Sequence, residues 1–316
     1  MKEYGGYIEL DTYRSLMLHD GAIALNCGRN CLAYLIEARQ ISKIMLPYYI
    51  CDSVLNLCKQ YDIAVRFYHI NDRFMPENVI INDDEWLYVV NYYGQLTLDY
   101  LSGLKSKYGR VVIDNAQAYF DAPINESDTL YTCRKFFGVA DGAFLYTDAV
   151  LEKELPVDES YDRMHFLLGR YERTASEFYE EYNANNHHFA KEPIKRMSRL
   201  TMNLLHAEDY GFVKQRRTDN FTAYHGLLAD RNPLQLRVPE GAFAYPFFVE
   251  NGSKTRKALQ QKKIYIPLLW PNVLEQHTVQ ELEYRFADGI LPLPCDQRYS
   301  AEDIYYIVEN LLAVVS

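Results

Sequence analysis

The sequence predicts an α/β protein in which a large domain, built on a mostly parallel seven-stranded sheet flanked by helices, is followed by a smaller C-terminal α/β domain. Three observations carry that reading. Between residues 22 and 147 short β-branched or aromatic runs alternate with amphipathic stretches, the pattern of βαβ units. Several of those runs are apolar throughout, as strands are when both faces of a sheet are covered. Beyond Val150 the texture changes to longer helical stretches before strand patterns resume.

In chain order the expected strands are IALNC, KIMLP, AVRFYHI, LYVVNYY, VVIDNA, TLYTC and GAFLYT. Helices fit after Asn30 (LAYLIEAR), after Cys51 (DSVLNLCKQ) and after Thr97 (LDYLSGLKSKYG). Further helices are expected over roughly 161–182, 192–206 and 207–229, the last ending before Asn232-Pro233. AYPFFVE then reads as a strand and SKTRKALQQKK as a helix. The tail SAEDIYYIVENLLAVV reads as an amphipathic helix with Ser300 as N-cap and Asp303 three residues on. The boundary falls near 211–232, giving a large domain over 1–210 and a small one over 211–316.

Composition narrows the function classes. A chain of 316 residues, 48% hydrophobic and 24% charged, is neither disordered nor fibrous. Acidic residues outnumber basic ones 43 to 33, so a non-specific grip on nucleic acid or an anionic membrane is not expected, and any bound phosphate is held locally. The start MKEYGGYIELD lacks the basic and then apolar pattern of a signal peptide, and no run approaches the ~20 apolar residues of a membrane span. Six cysteines without a Cys-x-x-Cys pair suit a cytoplasmic protein with free thiols, and Cys27 and Cys31 have no histidine cluster beside them, so no metal centre is expected. The 28 tyrosines, against 15 Phe and 2 Trp, fit half-buried strands or a ligand surface.

Three segments carry possible chemistry. In LNCGRNCLAYL an apolar strand runs into Gly28, Arg29 and Asn30 and then a helix, and amides at a helix N-terminus form an anion site, with Arg29 adding charge. In VVIDNAQAYF the strand ends in Asp114, either a site carboxylate or a structural cap or ion pair. In TLYTCRKFFGVADGAFLYT Thr132 precedes Lys135 by three residues, and Lys135, set between apolar runs, is either a desolvated nucleophile or a snorkelling surface lysine. Together their order suits pyridoxal 5′-phosphate (PLP): a lysine for the imine, an aspartate for the ring nitrogen and a helix end for the phosphate. Tyr92 and Tyr93 close a strand just before Gly94, in the part of the sheet where that cofactor would lie.

These segments resemble the DegT/DnrJ/EryC1/StrS sugar aminotransferases, within the PLP-transferase fold type I, from about Leu25 to the C-terminus. VVIDNAQA resembles the family's Asp-x-Ala-(His/Gln), which implies Asp114 as the partner of the ring nitrogen and Gln117 beside the cofactor's ring oxygen or phosphate. RKFFGVADGAFLYT is similar to its lysine segment and implies Lys135 as the Schiff-base lysine. VNYYGQLTLD, MSRLTMNLL, QRRTDNF and LPLPCDQRYSAEDI resemble further family landmarks. The resemblance also implies a homodimer in which Asn220, after Arg216 and Arg217, reaches the phosphate of the neighbouring subunit's cofactor.

Several positions depart from the family pattern. Leu130 stands where the family has a serine, leaving Thr132 as the substitute phosphate ligand. Cys51 stands where a ring that stacks on the cofactor is expected, and Tyr48 or Tyr49 could supply that ring. Asp141-Gly142-Ala143 replaces the double glycine. The implied activity is transfer of an amino group from an amino acid donor to a keto-sugar or nucleotide-linked keto-sugar. The alternatives are a PLP lyase, dehydratase or decarboxylase, or a non-catalytic PLP-binding relative.

Overall fold

The computed structural model describes residues 4–315; residues 1–3 of the N-terminal stretch read above and Ser316 of the small domain lie outside the described residues. The strands are β1 (Ile23–Leu25), β2 (Lys43–Pro47), β3 (Ala64–Ile70), β4 (Pro76–Glu77), β5 (Trp86–Val90), β6 (Val111–Asp114), β7 (Asp128–Thr132), β8 (Ala143–Tyr146), β9 (Ala244–Phe248) and β10 (Ile290–Pro294). The helices are α1 (Gly28–Arg39), α2 (Asp52–Gln60), α3 (Leu98–Tyr108), α4 (His165–Glu172), α5 (Tyr179–His188), α6 (Arg199–Leu205), α7 (Tyr210–Leu228), α8 (Gly252–Gln261), α9 (Pro271–Gln276), α10 (Leu282–Gly289) and α11 (Ala301–Val315).

The main sheet has the order β4-β3-β2-β5-β6-β7-β8-β1. Its centre, from β3 to β7, is parallel, while β8 runs antiparallel to both β7 and β1. All seven expected strands are present. The eighth, β4, is a two-residue edge strand that starts on Pro76 and pairs with β3, too short to leave a periodic signal.

The second half departs further from its pattern. The helix expected over 161–182 is broken at Arg173, whose φ of −135° and ψ of −138° leave the helical region. Residues 192–198 are not helical because they edge the sheet instead: Asn26 N–H donates to Lys195 O at 3.0 Å and Met197 N–H to Ala24 O at 3.2 Å. Ser198 and Asp209 then cap α6 and α7 by accepting from Thr201 N and Phe212 N. Pattern reading missed β10, whose ILPLP carries two prolines. Among the described residues it pairs only with β9, and a two-stranded ribbon leaves each strand an edge on which proline is tolerated. The expected Ser300–Asp303 capping box is present, with Ser300 N donating to Asp303 Oδ2 at 2.8 Å and Asp303 N to Ser300 Oγ at 3.3 Å.

Three apolar clusters hold these layers together. The largest packs α1, α2 and α3 on the sheet and takes in Val273, Phe286 and Ile290 from the C-terminal region. A second joins α7, α8 and α11 to β9 and β10. The third collects Tyr119, Tyr131, Phe136, Phe144 and Leu205 around β7 and β8. Within it His19, 2% exposed, donates from Nε2 to Tyr119 O at 2.9 Å, leaving Nδ1 to accept from Tyr146 OH at 3.2 Å.

Burial lowers the His19 pKa from 6.5 to about 4. The unfolded chain takes up this proton as pH falls through 6.5 and the folded chain only near 4, so the contribution is present above 6.5 and lost on the way down. Urea titrations should show about 3 kcal/mol of acid-dependent loss from this group, absent in His19→Gln.

Candidate active site

In a parallel sheet, side chains at the carboxyl ends of adjacent strands share one rim. Asp114 closes β6, in register with Val90 at the end of β5 and Leu130 in β7. α1 starts on the same rim: a Cβ built on Gly28 would lie 3.8 Å from Thr132 Cβ and 3.9 Å from Leu130 Cδ1. At the start of α1 the Asn30 and Cys31 amides both donate to Cys27 O, at 3.0 and 3.2 Å, which leaves the Gly28 and Arg29 amides without an intrahelical acceptor, and the N-cap, Cys27, makes no side-chain cap bond. The fold therefore brings Gly28 and Thr132 together.

Asp114 is largely removed from water, which raises its carboxyl pKa; the Lys135 ammonium and two hydrogen bonds act the other way. Ala116 N–H donates to Oδ1 and Tyr88 OH to Oδ2, each at 2.8 Å. Lys135 opens onto the surface of the single chain, with Nζ 5.4 Å from the centroid of the Phe243 ring. Dense protein on its inner side still withholds water, and its pKa is lowered; the charges of Asp114 and Cys51 raise it, and Arg134 lowers it further. The site thus pairs a carboxylate that resists leaving water with an amine that loses its proton more easily than a solvated lysine.

The lysine's backbone is clamped from below. Arg217, 1% exposed, donates from Nη2 to Phe136 O at 3.0 Å and from Nη1 to Ala242 O at 3.1 Å, and Gln297 Nε2 also donates to Phe136 O, at 2.9 Å. Burial lowers the Arg217 pKa to about 10. On the far side of the loop Asp141 accepts from Ser198 N at 2.8 Å, Ser198 Oγ at 2.7 Å and Thr201 Oγ1. Gly142, with φ +112°, leaves room there for Thr201 Cγ2, which would meet a Cβ at 3.0 Å.

Other expected site residues are engaged differently. Arg29 Nη1 donates to Phe189 O, and Asn30 turns inward to Asn26 Oδ1, Glu192 O and Pro193 O. At this helix end it is the α1 amides and Thr132, rather than those two side chains, that face the rim. Tyr49 and Tyr92 are each 1% exposed, with the Tyr92 hydroxyl on Tyr49 O and the Tyr49 ring against Tyr92 and Trp270. Both are core residues with no open ring face, and Tyr48 stacks on Phe67 at 4.9 Å. Cys51 is half-buried, its Sγ 2.8 Å from Ser53 Oγ. Gln117 Oε1 accepts from Tyr93 N at 2.8 Å and braces the left-handed turn at Tyr93 (φ 53°).

Asn220, too, is engaged within its own chain. It is 2% exposed and its amide donates to Cys295 O, Asp296 O and Tyr299 O, each at 3.1 Å. Sequence reading missed three residues: Tyr88, Phe243 and the Arg217 clamp. Of these only Tyr88 left a usable signal, since it lies two residues before Val90 on the strand beside Asp114 and so shares its face. Away from the rim, Asp158, His188 and Glu192 lie close enough to share an ion, but Arg163 and Lys195 already pair with Asp158 at 2.9 and 3.4 Å.

No family model and no curated protein matches this sequence. Solved structures match over nearly its whole length. Spr1654 of Streptococcus pneumoniae, assigned as a sugar aminotransferase and solved in a PMP form, is 15% identical, with 93% of this chain and 86% of that chain covered and a TM-score of 0.66. PseC of Helicobacter pylori, an aminotransferase of pseudoaminic acid biosynthesis, is 14% identical over 93% and 86% of the two chains, TM-score 0.64. A DegT DnrJ EryC1 StrS aminotransferase from Brucella abortus is 12% identical over 94% and 87%, TM-score 0.62. The fold is therefore that of the fold-type I PLP enzymes, and its structural likeness is to the sugar aminotransferases among them.

Because the Asp114 carboxylate raises the Lys135 pKa, Asp114→Asn should lower it. Mass spectrometry of the chain after treatment with an amine-reactive reagent should show half-modification of Lys135 at a lower pH in the variant, with exposed Lys59 unchanged.

Proposed function

We propose that this chain is a PLP-dependent aminotransferase that moves an amino group from an amino acid donor to a keto-sugar or nucleotide-linked keto-sugar. The observation that carries the reading is the convergence of the Lys135 amine, the Asp114 carboxylate and the α1 N-terminus with Thr132 on one strand-end rim. That donor set suits PLP: an amine for its aldehyde, an anion for its ring nitrogen and unpaired amides for its phosphate. PLP supplies the electron-withdrawing ring that stabilises negative charge on the substrate carbon.

The chain's own groups do the rest. Asp114 would favour a proton on the ring nitrogen by offering it a fixed negative charge. Lys135, made less basic by burial, takes and returns the proton at the amine-bearing carbon through Nζ. The Gly28 and Arg29 amides and the Thr132 hydroxyl would bind the phosphate. Arg217 and Gln297 keep the backbone beside Lys135 from shifting, which orients Nζ.

The names of the solved neighbours support a sugar as acceptor. The openness of Lys135 in the single chain supports a homodimer in which a second copy narrows the rim. Residues 1–210 would then carry the cofactor and 211–316 form the smaller unit behind Phe136. No helix among the described residues is long and apolar enough to cross a membrane, and a cytoplasmic setting fits the free thiols.

The test begins with purified protein and PLP. The wild type should take up the cofactor with a visible absorption that Lys135→Ala abolishes. An amino acid donor should bleach it, and a keto-sugar should restore it. Lys135→Ala should cut transfer by about a hundredfold to ten-thousandfold. Absence of the lysine-dependent absorption would overturn the cofactor reading, and cofactor uptake without a donor-driven change would favour a lyase or decarboxylase.

A further inference from the structure

The Asp114 carboxylate is held by a neighbour that the proposed reaction has not yet used. Tyr88 lies in β5, where Tyr88 pairs in register with Val112 and Val90 with Asp114. With a two-residue period, Tyr88 and Val90 share a face, and the in-register partner of Val90 is on that face too. A phenol is long enough to cross this diagonal. Its hydroxyl donates to Asp114 Oδ2 at 2.8 Å, while the Ala116 N–H occupies Oδ1 from the opposite side.

The tyrosine itself has little freedom. It is 2% exposed, and its backbone carbonyl accepts from the Tyr68 hydroxyl at 2.9 Å. Burial and the adjacent carboxylate push its own pKa well above the usual phenol value, so it remains a donor wherever Asp114 is charged. The other titratable groups that bear on Asp114 are Lys135 after β7, Tyr92 after β5 and Cys31 in α1; Cys51 bears on Lys135 and Tyr88. Tyr92 and Cys31 are pushed up by burial and stay neutral. Lys135 supplies charge to the carboxylate but does not fix its direction. Orientation comes from the two hydrogen bonds.

We infer that Tyr88 is a positioning residue for the proposed reaction: with the Ala116 amide it fixes both oxygens of Asp114, so the carboxylate is oriented and charged before a ring nitrogen meets it. This rests on the PLP reading above. Without the hydroxyl, Asp114 loses a donor that favours its ionised form, and it should hold its proton to higher pH.

The experiment measures PLP affinity of the full chain from acid to neutral pH. For Tyr88→Phe, which keeps the ring volume, the acid limb should move up by about one pH unit, the effect of one hydrogen bond to a charged group. The alkaline plateau and the melting temperature should change little. An ortho-fluorotyrosine at position 88, a stronger donor of nearly the same size, should move the limb down, which keeps the test decisive if Tyr88→Phe folds poorly. Asp114→Asn should remove the limb altogether. A limb that Asp114→Asn removes but both Tyr88 replacements leave unmoved would overturn the positioning role alone. A wild type that binds no PLP at any pH would overturn the cofactor reading and this inference with it.

Discussion

A carboxylate at the end of a central strand loses its water, and in this protein much else is arranged around making that tolerable for Asp114. Lys135 provides an opposite charge, and Tyr88 and the Ala116 amide provide two hydrogen bonds. None would suffice alone, because an unpaired buried charge is more costly than a single hydrogen bond recovers. The requirement fixes several things at once: β5 must lie beside β6 in the observed register, and the connection from β7 to β8 must return Lys135 to the same rim. The pair is also where chemistry becomes available, since the strain of partial burial lowers the amine's pKa.

Precision at that rim is supplied from a distance. Phe136 follows Lys135 directly, and its carbonyl receives donors from both Arg217 and Gln297, which belong to α7 and to the loop before α11. A buried guanidinium is costly to hold, and its three engaged nitrogens on Phe136, Ala242 and Gln297 offset that cost while joining the C-terminal region to the lysine loop. Asp141 does the corresponding work on the opposite side by tying the β8 entry to the start of α6. Gly142 there has a φ of +112°, a conformation that L side chains rarely adopt, and an added Cβ would press on Thr201 and Cys133 at 3.0 and 3.2 Å.

The helix end shows how a site can keep its chemistry while its side chains change role. Arg29 and Asn30 sit at the start of α1 yet bind carbonyls of Phe189, Glu192 and Pro193, just before the residues that edge the sheet beside β1. What is left to face the rim is backbone, together with Thr132. Amides at a helix start bind anions through geometry that any residue can provide, so the reading of this turn as an anion cup does not depend on those two side chains.

The sequence by itself determined the seven principal strands, the α1 turn at Gly28, Asp114 at the end of β6 and Lys135 just past β7. Those are local facts: an apolar run and the residue that terminates it are neighbours in the chain, and periodicity reports them. It could not tell which way a polar side chain turns once the chain has closed. Arg29 meets a carbonyl 160 residues away, Asn220 is enclosed by carbonyls 75 to 79 residues away, and Tyr49 is packed behind Trp270. Only the tertiary structure decided these, because each outcome is a competition between partners that come together after folding. The Tyr88 hydroxyl belongs to the same class, although its place on the Asp114 face was already written in the two-residue period of β5.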